Sequence, residues 1–306
     1  MRIALCYSDT GATQWLQELR AALPQADVAL WAPGAPLADY AVVRAPTQAF
    51  FDEQTQLKAA FNAGAGVDAV LKLKLPAHTQ LVRLDDAGMA AQMAEYVCHA
   101  VIRHFREFAA YELDATTSTW APRMLQTRAD FSVGIMGLGV LGERVARALQ
   151  QFDFPVLGWS RTPKALAGVT CFAGPEQFRN FLAATRVLVC LVPLTPDTQD
   201  ILNHANLSRL QPQGYVINVA RGAHLVDADL LALLDSGHLA GATLDVFRTE
   251  PLPAEHPFWR HPKVTVTPHA SAHTLRSESV LQIARKIETL EKGQTVAGIV
   301  NRLQGY

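Results

Sequence analysis

The feature that most constrains the fold of this chain is a glycine pattern at a strand-to-helix junction. Gly137, Gly139 and Gly142 form a G-x-G-x-x-G that follows the apolar run FSVGIM and precedes a helical pattern over 143–152. In that setting the glycines allow a tight turn, a close backbone approach to a pyrophosphate, and close packing of helix on strand. The helix N-terminus then presents N–H groups to the phosphates. We therefore predict a dinucleotide site whose contacts come from Gly137, Leu138, Gly139, Val140, Leu141 and Gly142.

Short apolar runs alternate with helical patterns on both sides of this loop, which predicts parallel sheets. The predicted strands are 3–7, 28–31, 41–43, 131–136, PVLGWS, 187–193, 215–220, 241–247 and 264–269. A helical pattern covers 13–23, a long helix 88–111, and the irregular segment 112–128 follows it. The fold class predicted is α/β, with two doubly wound parallel-sheet domains.

The domain order is predicted from the two ends of the chain. A last helical pattern begins after residue 274, with Val280, Ile283, Ile287 and Leu290 at core spacing. We expect this helix to return to the first domain, whose sheet otherwise lacks cover. A flavodoxin-like substrate domain (1–98 and 275–306) would then hold an inserted Rossmann-type NAD(P)-binding domain (99–274).

Composition excludes several other classes of protein. The net charge of −1 offers no broad basic surface to nucleic acid or anionic lipid. The longest apolar run, 187–194, is too short to span a bilayer. The four cysteines are scattered without metal-binding spacing, so we expect no metal site, and buried free thiols of this kind fit a cytoplasmic protein.

The strand after the glycine loop indicates which dinucleotide is bound. NAD-selective folds place Asp or Glu near its end for the ribose 2′-OH. Here the strand ends Trp159-Ser160-Arg161-Thr162, and a hydroxyl with a guanidinium suits a 2′-phosphate. We predict NADPH in preference to NADH; the alternative is a solvated arginine on a turn.

Three later strand ends carry candidate catalytic residues. NVARG, LDVFRTEPL and TPHASAHT supply Arg221, Glu250 and His269, and the carboxyl ends of parallel strands meet at one ligand crevice. Arginine offers a permanently charged, planar fork that can grip a carboxylate, and histidine can hold and release a proton near neutral pH. Each has a plainer alternative: a surface ion pair, a loop carboxylate or a strand-end histidine.

The segments GLGVLG, LVPLTPDT, NVARG, LDVFRTEPL and TPHASA stand in this order along the chain. Together they resemble the D-isomer-specific 2-hydroxyacid dehydrogenase family over essentially the whole length. Within that family the chain is most similar to reductases of glyoxylate and hydroxypyruvate. The resemblance implies that a small 2-keto acid is reduced to the D-2-hydroxy acid. It also implies a homodimer formed through the cofactor domain.

The resemblance also implies roles for individual residues. Arg221 would bind carboxylate and carbonyl, His269 would be the general acid, and Glu250 would orient its ring. Asp245 would bind the nicotinamide carboxamide, although Asp before a turn is also common. The backbone N–H groups of Ala65 and Gly66 would hold the substrate carboxylate, or form an ordinary turn. Further cofactor-groove residues implied are Leu191, Val192, Pro193, Val219 and Ala220.

One residue departs from the resemblance. Those reductases have Trp near the end of the run AVVR, where this chain has Arg44. Arg44 either faces the substrate, admitting a second carboxylate or another polar tail, or faces solvent.

Two other functions share the same fold. A nicotinamide-sensing regulatory protein of the corepressor type usually adds long tails or charge runs, and this sequence shows neither. Formate dehydrogenase chemistry uses a Gln–His pair, whereas Glu250 stands here. We therefore expect a 2-keto acid reductase, with the sensor as the alternative.

Overall fold

The computed structural model describes residues 1–7, 11–64, 66–124, 126–302 and 305. The chain divides into two compact units: unit 1 comprises Met1–Met89 with His273–Tyr306, and unit 2 comprises Ala90–Ala272. The division thus falls after residues 89 and 272, whereas the sequence suggested 98 and 274.

Unit 1 contains a parallel sheet. Its strands are β1 (Arg2–Tyr7), β2 (Asp27–Leu30), β3 (Tyr40–Arg44), β4 (Ala59–Asn62) and β5 (Gln80–Arg83). Their order is β2-β1-β3-β4-β5, and every pairing is parallel. This is the flavodoxin-like strand order. The chain adds β2 on one side of β1 and then β3, β4 and β5 on the other side, so the order reverses at β1.

The helices α1 (Ala12–Ala22), α2 (Gln48–Glu53) and α9 (Arg276–Glu291) cover this sheet. Val280, Ile283 and Ile287 of α9 share a buried cluster with Leu19 of α1. Outside that cluster, Arg276 donates to Glu18 at 2.6 Å. The apolar stripe of the last helix thus completes the core of unit 1.

Unit 2 contains a larger parallel sheet. Its strands are β6 (Val133–Met136), β7 (Val156–Ser160), β8 (Val169–Ala173), β9 (Val187–Cys190), β10 (Gly214–Asn218), β11 (Leu239–Leu244) and β12 (Val264–Val266). Their order is β12-β11-β10-β9-β6-β7-β8. The order reverses between β6 and β9, which is the switch point where doubly wound sheets bind ligands.

Alternate residues of the central strands enter cores on opposite faces of this sheet, as the period of two requires. Val187 and Val189 join the cluster formed with α3 (Met89–Phe105) and α5 (Val140–Gln150). Leu188 and Cys190 join the other cluster. The helices on that second face are α6 (Gly174–Ala184), α7 (His204–Leu207) and α8 (Asp227–Asp235). The predicted fold class of two doubly wound parallel-sheet domains is confirmed.

The helix predicted over 88–111 is two helices, interrupted at residues 106 and 107. α3 ends at Phe105, Glu107 takes a left-handed conformation at φ 52°, and α4 (Phe108–Thr116) begins a new helix. Phe105 is the last buried residue of the α3 stripe, whereas α4 buries none of its described residues. Beyond Phe105, core packing therefore no longer favours continuation of the same helix axis. α4 also occupies the first part of the segment expected to be irregular.

Sequence periodicity missed several short elements: α2, β4, β5, β8 and α6. β4, for example, is buried at all four residues and so shows no alternation. Over the described ranges, no helix is both long and apolar enough to cross a membrane.

Candidate active site

The candidate site residues of unit 2 follow the carboxyl ends of neighbouring parallel strands. The glycine loop follows β6, Leu191–Pro193 follows β9, and Arg221 follows β10. Glu250 follows β11 and His269 follows β12. One edge of one sheet therefore carries both the candidate cofactor loop and the candidate catalytic residues.

The glycine loop has the backbone geometry that its pattern predicts. Gly137 has φ 110°, and a Cβ there would lie 2.8 Å from the carbonyl carbon of Leu191. A Cβ at Gly142 would lie 1.9 Å from the oxygen of Gly137, so α5 packs against the turn only with glycine there. A Cβ at Gly139 would meet no described atom within 4 Å. The loop therefore leaves open space at its middle glycine, beside the N-terminus of α5, where a diphosphate fits.

The other residues of this loop divide between core and surface. Leu138 is buried in the core, Leu141 is partly buried against it, and Val140 is exposed. The Leu138 side chain thus anchors the turn, and contacts of the other loop residues with a cofactor stay predictions.

Two neighbouring strands hold the glycine turn from either side. The Gly137 N–H donates to Trp159 O at 2.8 Å, and the Leu191 N–H donates to Met136 O at 2.8 Å. The Trp159 indole donates to Gly174 O and packs on Phe178. The Trp159 side chain is thus engaged by Gly174 and Phe178. Its predicted contact with the cofactor would therefore come from its backbone.

Beyond Trp159 the chain turns outward. Ser160 Oγ donates to Thr162 O at 2.7 Å, while Arg161 and Thr162 are exposed. No carboxylate stands at this strand end between residues 156 and 164. This strand end therefore carries an exposed guanidinium and no carboxylate.

The turn that carries Arg221 is fixed by a side chain that sequence reasoning did not single out. Asn218 is fully buried, its Nδ2 donates to Arg221 O at 3.0 Å, and its Oδ1 accepts from Ala220 N at 3.2 Å. The Arg221 Nη1 donates to Ala220 O at 2.6 Å. Val219 and Ala220 are buried. The first residue of the quoted NVARG segment thus shapes the backbone at Arg221.

The Arg221 turn packs on the loop that carries Glu250. A Cβ at Gly222 would lie 1.8 Å from the carbonyl carbon of Phe247, so only glycine permits this approach. The Phe247 N–H in turn donates to Glu250 Oε1 at 2.9 Å. Arg221 and Glu250 therefore lie on loops in direct contact.

Glu250 and His269 form the pair that the sequence suggested. Glu250 Oε2 lies 2.8 Å from His269 Nδ1. Since an ionised carboxylate can only accept a hydrogen bond, Nδ1 carries the proton and Nε2 is the nitrogen left for chemistry. The two side chains remain 37% and 46% exposed, so a substrate can reach them.

The His269 turn is held by Asp245. His269 has φ 52°, and its N–H donates to Asp245 O at 2.8 Å. The Asp245 carboxylate accepts from Ala270 N, Ser271 N and Thr267 Oγ1 and is fully buried. Its direct contact with a nicotinamide stays a prediction that this burial does not favour; the structure uses Asp245 to hold the turn.

Tyr96 of α3 extends this network. Its hydroxyl lies 2.5 Å from Thr267 Oγ1. Because the Thr267 proton goes to Asp245, the Tyr96 hydroxyl must donate to Thr267. Burial raises the pKa of Tyr96 to about 12, and the charge of Asp245 also raises it. In the sequence, Tyr96 lies on the apolar face of a helical pattern, which predicts a core residue and gives no sign of this hydrogen bond.

The substrate residues predicted in unit 1 are less constrained. Arg44 is exposed at the end of β3, with Nη1 donating to Tyr7 Oη at 3.1 Å and its guanidinium 5.6 Å from the Tyr7 ring. Asn62 Nδ2 donates to Gly64 O and Gly66 O, both at 2.9 Å, which shapes the loop after β4. Ala65 lies outside the described residues. Roles for Ala65, Gly66 and Arg44 in binding substrate stay predictions.

Comparison with known proteins identifies the family. Residues 98–271 match the sequence model described as "D-isomer specific 2-hydroxyacid dehydrogenase, NAD binding domain". The chain belongs to this family. The dehydrogenase is thus an enzyme, and most of unit 2 is its NAD-binding domain.

A curated relative and two solved structures resemble the dehydrogenase over its whole length. Glyoxylate/hydroxypyruvate reductase A of Serratia proteamaculans is 48% identical, covering 100% of both chains. A family member from Xanthobacter autotrophicus Py2, solved with NADPH and MES, has TM-score 0.93 and 38% identity, covering 100% of this chain and 99% of that one. The NADPH-dependent glyoxylate/hydroxypyruvate reductase of Sinorhizobium meliloti, solved with NADP and sulfate, has TM-score 0.93 and 36% identity with the same coverage.

Proposed function

We propose that this dehydrogenase reduces a small 2-keto acid of the glyoxylate or hydroxypyruvate type to its D-2-hydroxy acid, with NADPH as cofactor. The observation that carries the proposal is the 2.8 Å contact of Glu250 with His269, on loops that adjoin the Arg221 turn. A carboxylate-backed imidazole beside an arginine provides a proton donor and a carboxylate ligand together.

The glycine loop is the proposed seat of the cofactor diphosphate. Its open middle glycine and the N-terminus of α5 suit that group. NADPH, when bound, supplies the hydride. Arg161 would pair with the 2′-phosphate, supported by the NADPH and NADP named in the structures of two relatives.

His269 is the proposed general acid. With Nδ1–H held by Glu250, protonated Nε2 delivers its proton to the carbonyl oxygen of the keto acid. Glu250 keeps the ring orientation fixed and stabilises the charged imidazolium before the transfer. Because the His269 side chain is 46% exposed, it recovers its proton from solvent. In the opposite direction the neutral imidazole accepts the hydroxyl proton.

Arg221 is the proposed ligand of the substrate carboxylate and carbonyl. Its guanidinium is permanently charged and presents a planar fork of donors. The buried Asn218 fixes the backbone from which it projects, which limits the positions that the guanidinium can take.

We also propose that the enzyme is a homodimer and resides in the cytoplasm. The first is supported by an exposed apolar segment: Leu113, Trp120 and Met124 are 67%, 97% and 92% exposed. The second is supported by four free cysteine thiols, which suit a reducing compartment.

Absorbance of the reduced nicotinamide tests the reaction. Wild-type enzyme should consume NADPH with at least one of glyoxylate, hydroxypyruvate, pyruvate, phenylpyruvate and oxaloacetate. His269→Gln and Glu250→Gln should lower kcat by about 10²- to 10⁴-fold, the usual worth of general acid catalysis.

Asp235→Asn is the matched control for Glu250→Gln. Asp235 is also a carboxylate next to a histidine, with 3.4 Å between its Oδ1 and His261 Nε2, but it is 75% exposed and remote from the strand ends of the site. Its kcat should equal that of wild type. No turnover with any of the keto acids and either nicotinamide would overturn the proposal and favour the regulatory sensor.

A further inference from the structure

A fully buried histidine lies directly beside Arg221. His224 ends the short helical turn Gly222–His224 and is 0% exposed. Its Nδ1 lies 3.2 Å from the backbone nitrogen of Arg221, and its Nε2 lies 3.4 Å from the carbonyl oxygen of Pro193. One ring therefore contacts the loop after β10 and the loop after β9.

These neighbours select one tautomer of His224. A backbone N–H only donates and a carbonyl only accepts, so Nδ1 must accept from Arg221 while Nε2–H donates to Pro193. Nδ1 also lies 3.0 Å from Arg221 O, a contact that would be a hydrogen bond only if Nδ1 carried the proton. The opposite tautomer would give up both contacts to keep only this one.

The backbone around His224 also joins the two loops. The Leu202 N–H donates to His224 O at 2.8 Å, and the Asp200 N–H donates to Ala223 O at 3.0 Å. The Pro193 carbonyl also accepts from Thr198 Oγ1 at 2.7 Å. The imidazole thus lies at a junction where both loops are closely held.

We propose that His224 is a positioning residue and that its two ring nitrogens affect different ligands. Through Nδ1 it positions Arg221, which binds the keto acid, and through Nε2 it positions Pro193, which lines the groove for NADPH. This rests on the proposed function, in which Arg221 binds the carboxylate and the loop Leu191–Pro193 lines the cofactor groove. His224 transfers no proton, because both of its nitrogens are committed to backbone groups.

Two amide replacements separate the two nitrogens. In His224→Asn the short amide oxygen occupies the place of Nδ1, keeping the Arg221 contact and losing the Pro193 contact. In His224→Gln the longer amide NH₂ reaches the place of Nε2, keeping Pro193 and losing Arg221. Since one hydrogen bond is changed in each, the expected effect is about three- to tenfold.

The readout is a split between the two Michaelis constants. His224→Asn should raise KM for NADPH with KM for the keto acid unchanged, and His224→Gln should do the reverse. His204→Asn and His204→Gln, at an exposed histidine of the same unit, should change neither. Equal changes of both constants in each variant, or no change in either, would overturn the proposal, because a merely structural role predicts no split.

Two further measurements do not depend on these variants folding. Thr198→Val removes the other hydrogen bond to Pro193 O and should raise KM for NADPH alone. In the wild type, ¹⁵N spectra of His224 should report the Nε2–H tautomer, and the Nδ1–H tautomer would overturn the proposal. NADPH binding, followed by fluorescence without keto acid, separates this result from a failure of the proposed reaction.

Discussion

The loops of the candidate site in unit 2 are packed more tightly than the loop after β4 in unit 1. At the edge of unit 2, Gly137, Gly142 and Gly222 stand where a Cβ would meet backbone at 2.8 Å or less. At the edge of unit 1, a Cβ at Gly64 would be in ordinary contact, 3.6 Å from Asn62 Nδ2. Arg44, at the end of β3, is exposed and donates to the half-buried Tyr7.

Under the proposed function, this difference assigns the chemistry to unit 2 and selection of the substrate tail to unit 1. Proton transfer and diphosphate binding require closely fixed atoms, and the interlocked loops of unit 2 suit that requirement. The roomier loop after β4 tolerates exchange of side chains, so we expect a change there to leave the chemistry undisturbed.

The largest expected effect comes from adding one methyl group to a glycine in each unit. Gly142→Ala places a Cβ 1.9 Å from the oxygen of Gly137, so the turn or α5 must shift. We expect the Kd for NADPH to rise about 100-fold, as for overpacking of a close contact. Gly64→Ala should leave the Kd unchanged. Fluorescence titration measures both, and equal Kd values in the two variants would remove the contrast between the edges.

The loops at the edge of unit 2 were largely predictable from the sequence, because their chemistry is written in local segments. The turn at Gly137, the Glu250–His269 pair and the position of Arg221 each follow from a motif at a strand end. The supporting residues were not predictable. His224 and Tyr96 act through Pro193 and Thr267, which are distant in sequence. Asn218 acts on the backbone two and three residues later, and nothing in the sequence distinguishes it from an ordinary residue at a strand end. The break at Glu107 depends on where burial ends, which periodicity does not show.

Buried titratable groups give the second contrast. In unit 1, Lys286 Nζ contacts Asp85, Arg83 O and Ala297 O. In unit 2, burial, followed by the charge of Arg186, lowers the pKa of His104 to about 4, and its Nε2 has no partner among the described residues. The unfolded chain, with an ordinary pKa of about 6.5, binds the proton first as pH falls. Stability is therefore lost from pH 6.5 towards pH 4.

Urea unfolding at two pH values measures this loss. Wild type should be less stable at pH 5 than at pH 7.5 by about 2 kcal/mol from this group. His104→Phe keeps the ring that stacks on Tyr215 and should lack that part of the loss. His204→Phe, at an exposed site, should behave as wild type. A pH dependence that is the same in His104→Phe and wild type would show that acid sensitivity arises elsewhere.

Asp245 gives a third contrast, between holding a loop and binding a ligand. Asp245→Asn replaces one acceptor oxygen by an NH₂ group that faces a backbone N–H, which loosens the His269 turn. We expect kcat to fall about tenfold with KM for NADPH unchanged, the size seen for residues that orient a catalytic group. If KM for NADPH rises by the same factor, Asp245 binds the nicotinamide directly, as the resemblance implied. Asp235→Asn again serves as control.

The smallest expected effect is at Arg44, where the edge of unit 1 is predicted to act on the substrate tail. Arg44→Trp removes a guanidinium held at 3.1 Å by Tyr7 Oη, at an exposed position where a charge contact is worth little. The ratio of kcat/KM for oxaloacetate to that for pyruvate should fall about threefold. Tyr7→Phe, which removes this hydrogen bond but keeps the charge of Arg44, should give a ratio between those of wild type and Arg44→Trp. An unchanged ratio in Arg44→Trp would place Arg44 in solvent and leave selectivity to other residues. A fall in kcat for every substrate alike would mean that this edge is as tightly coupled to the chemistry as that of unit 2.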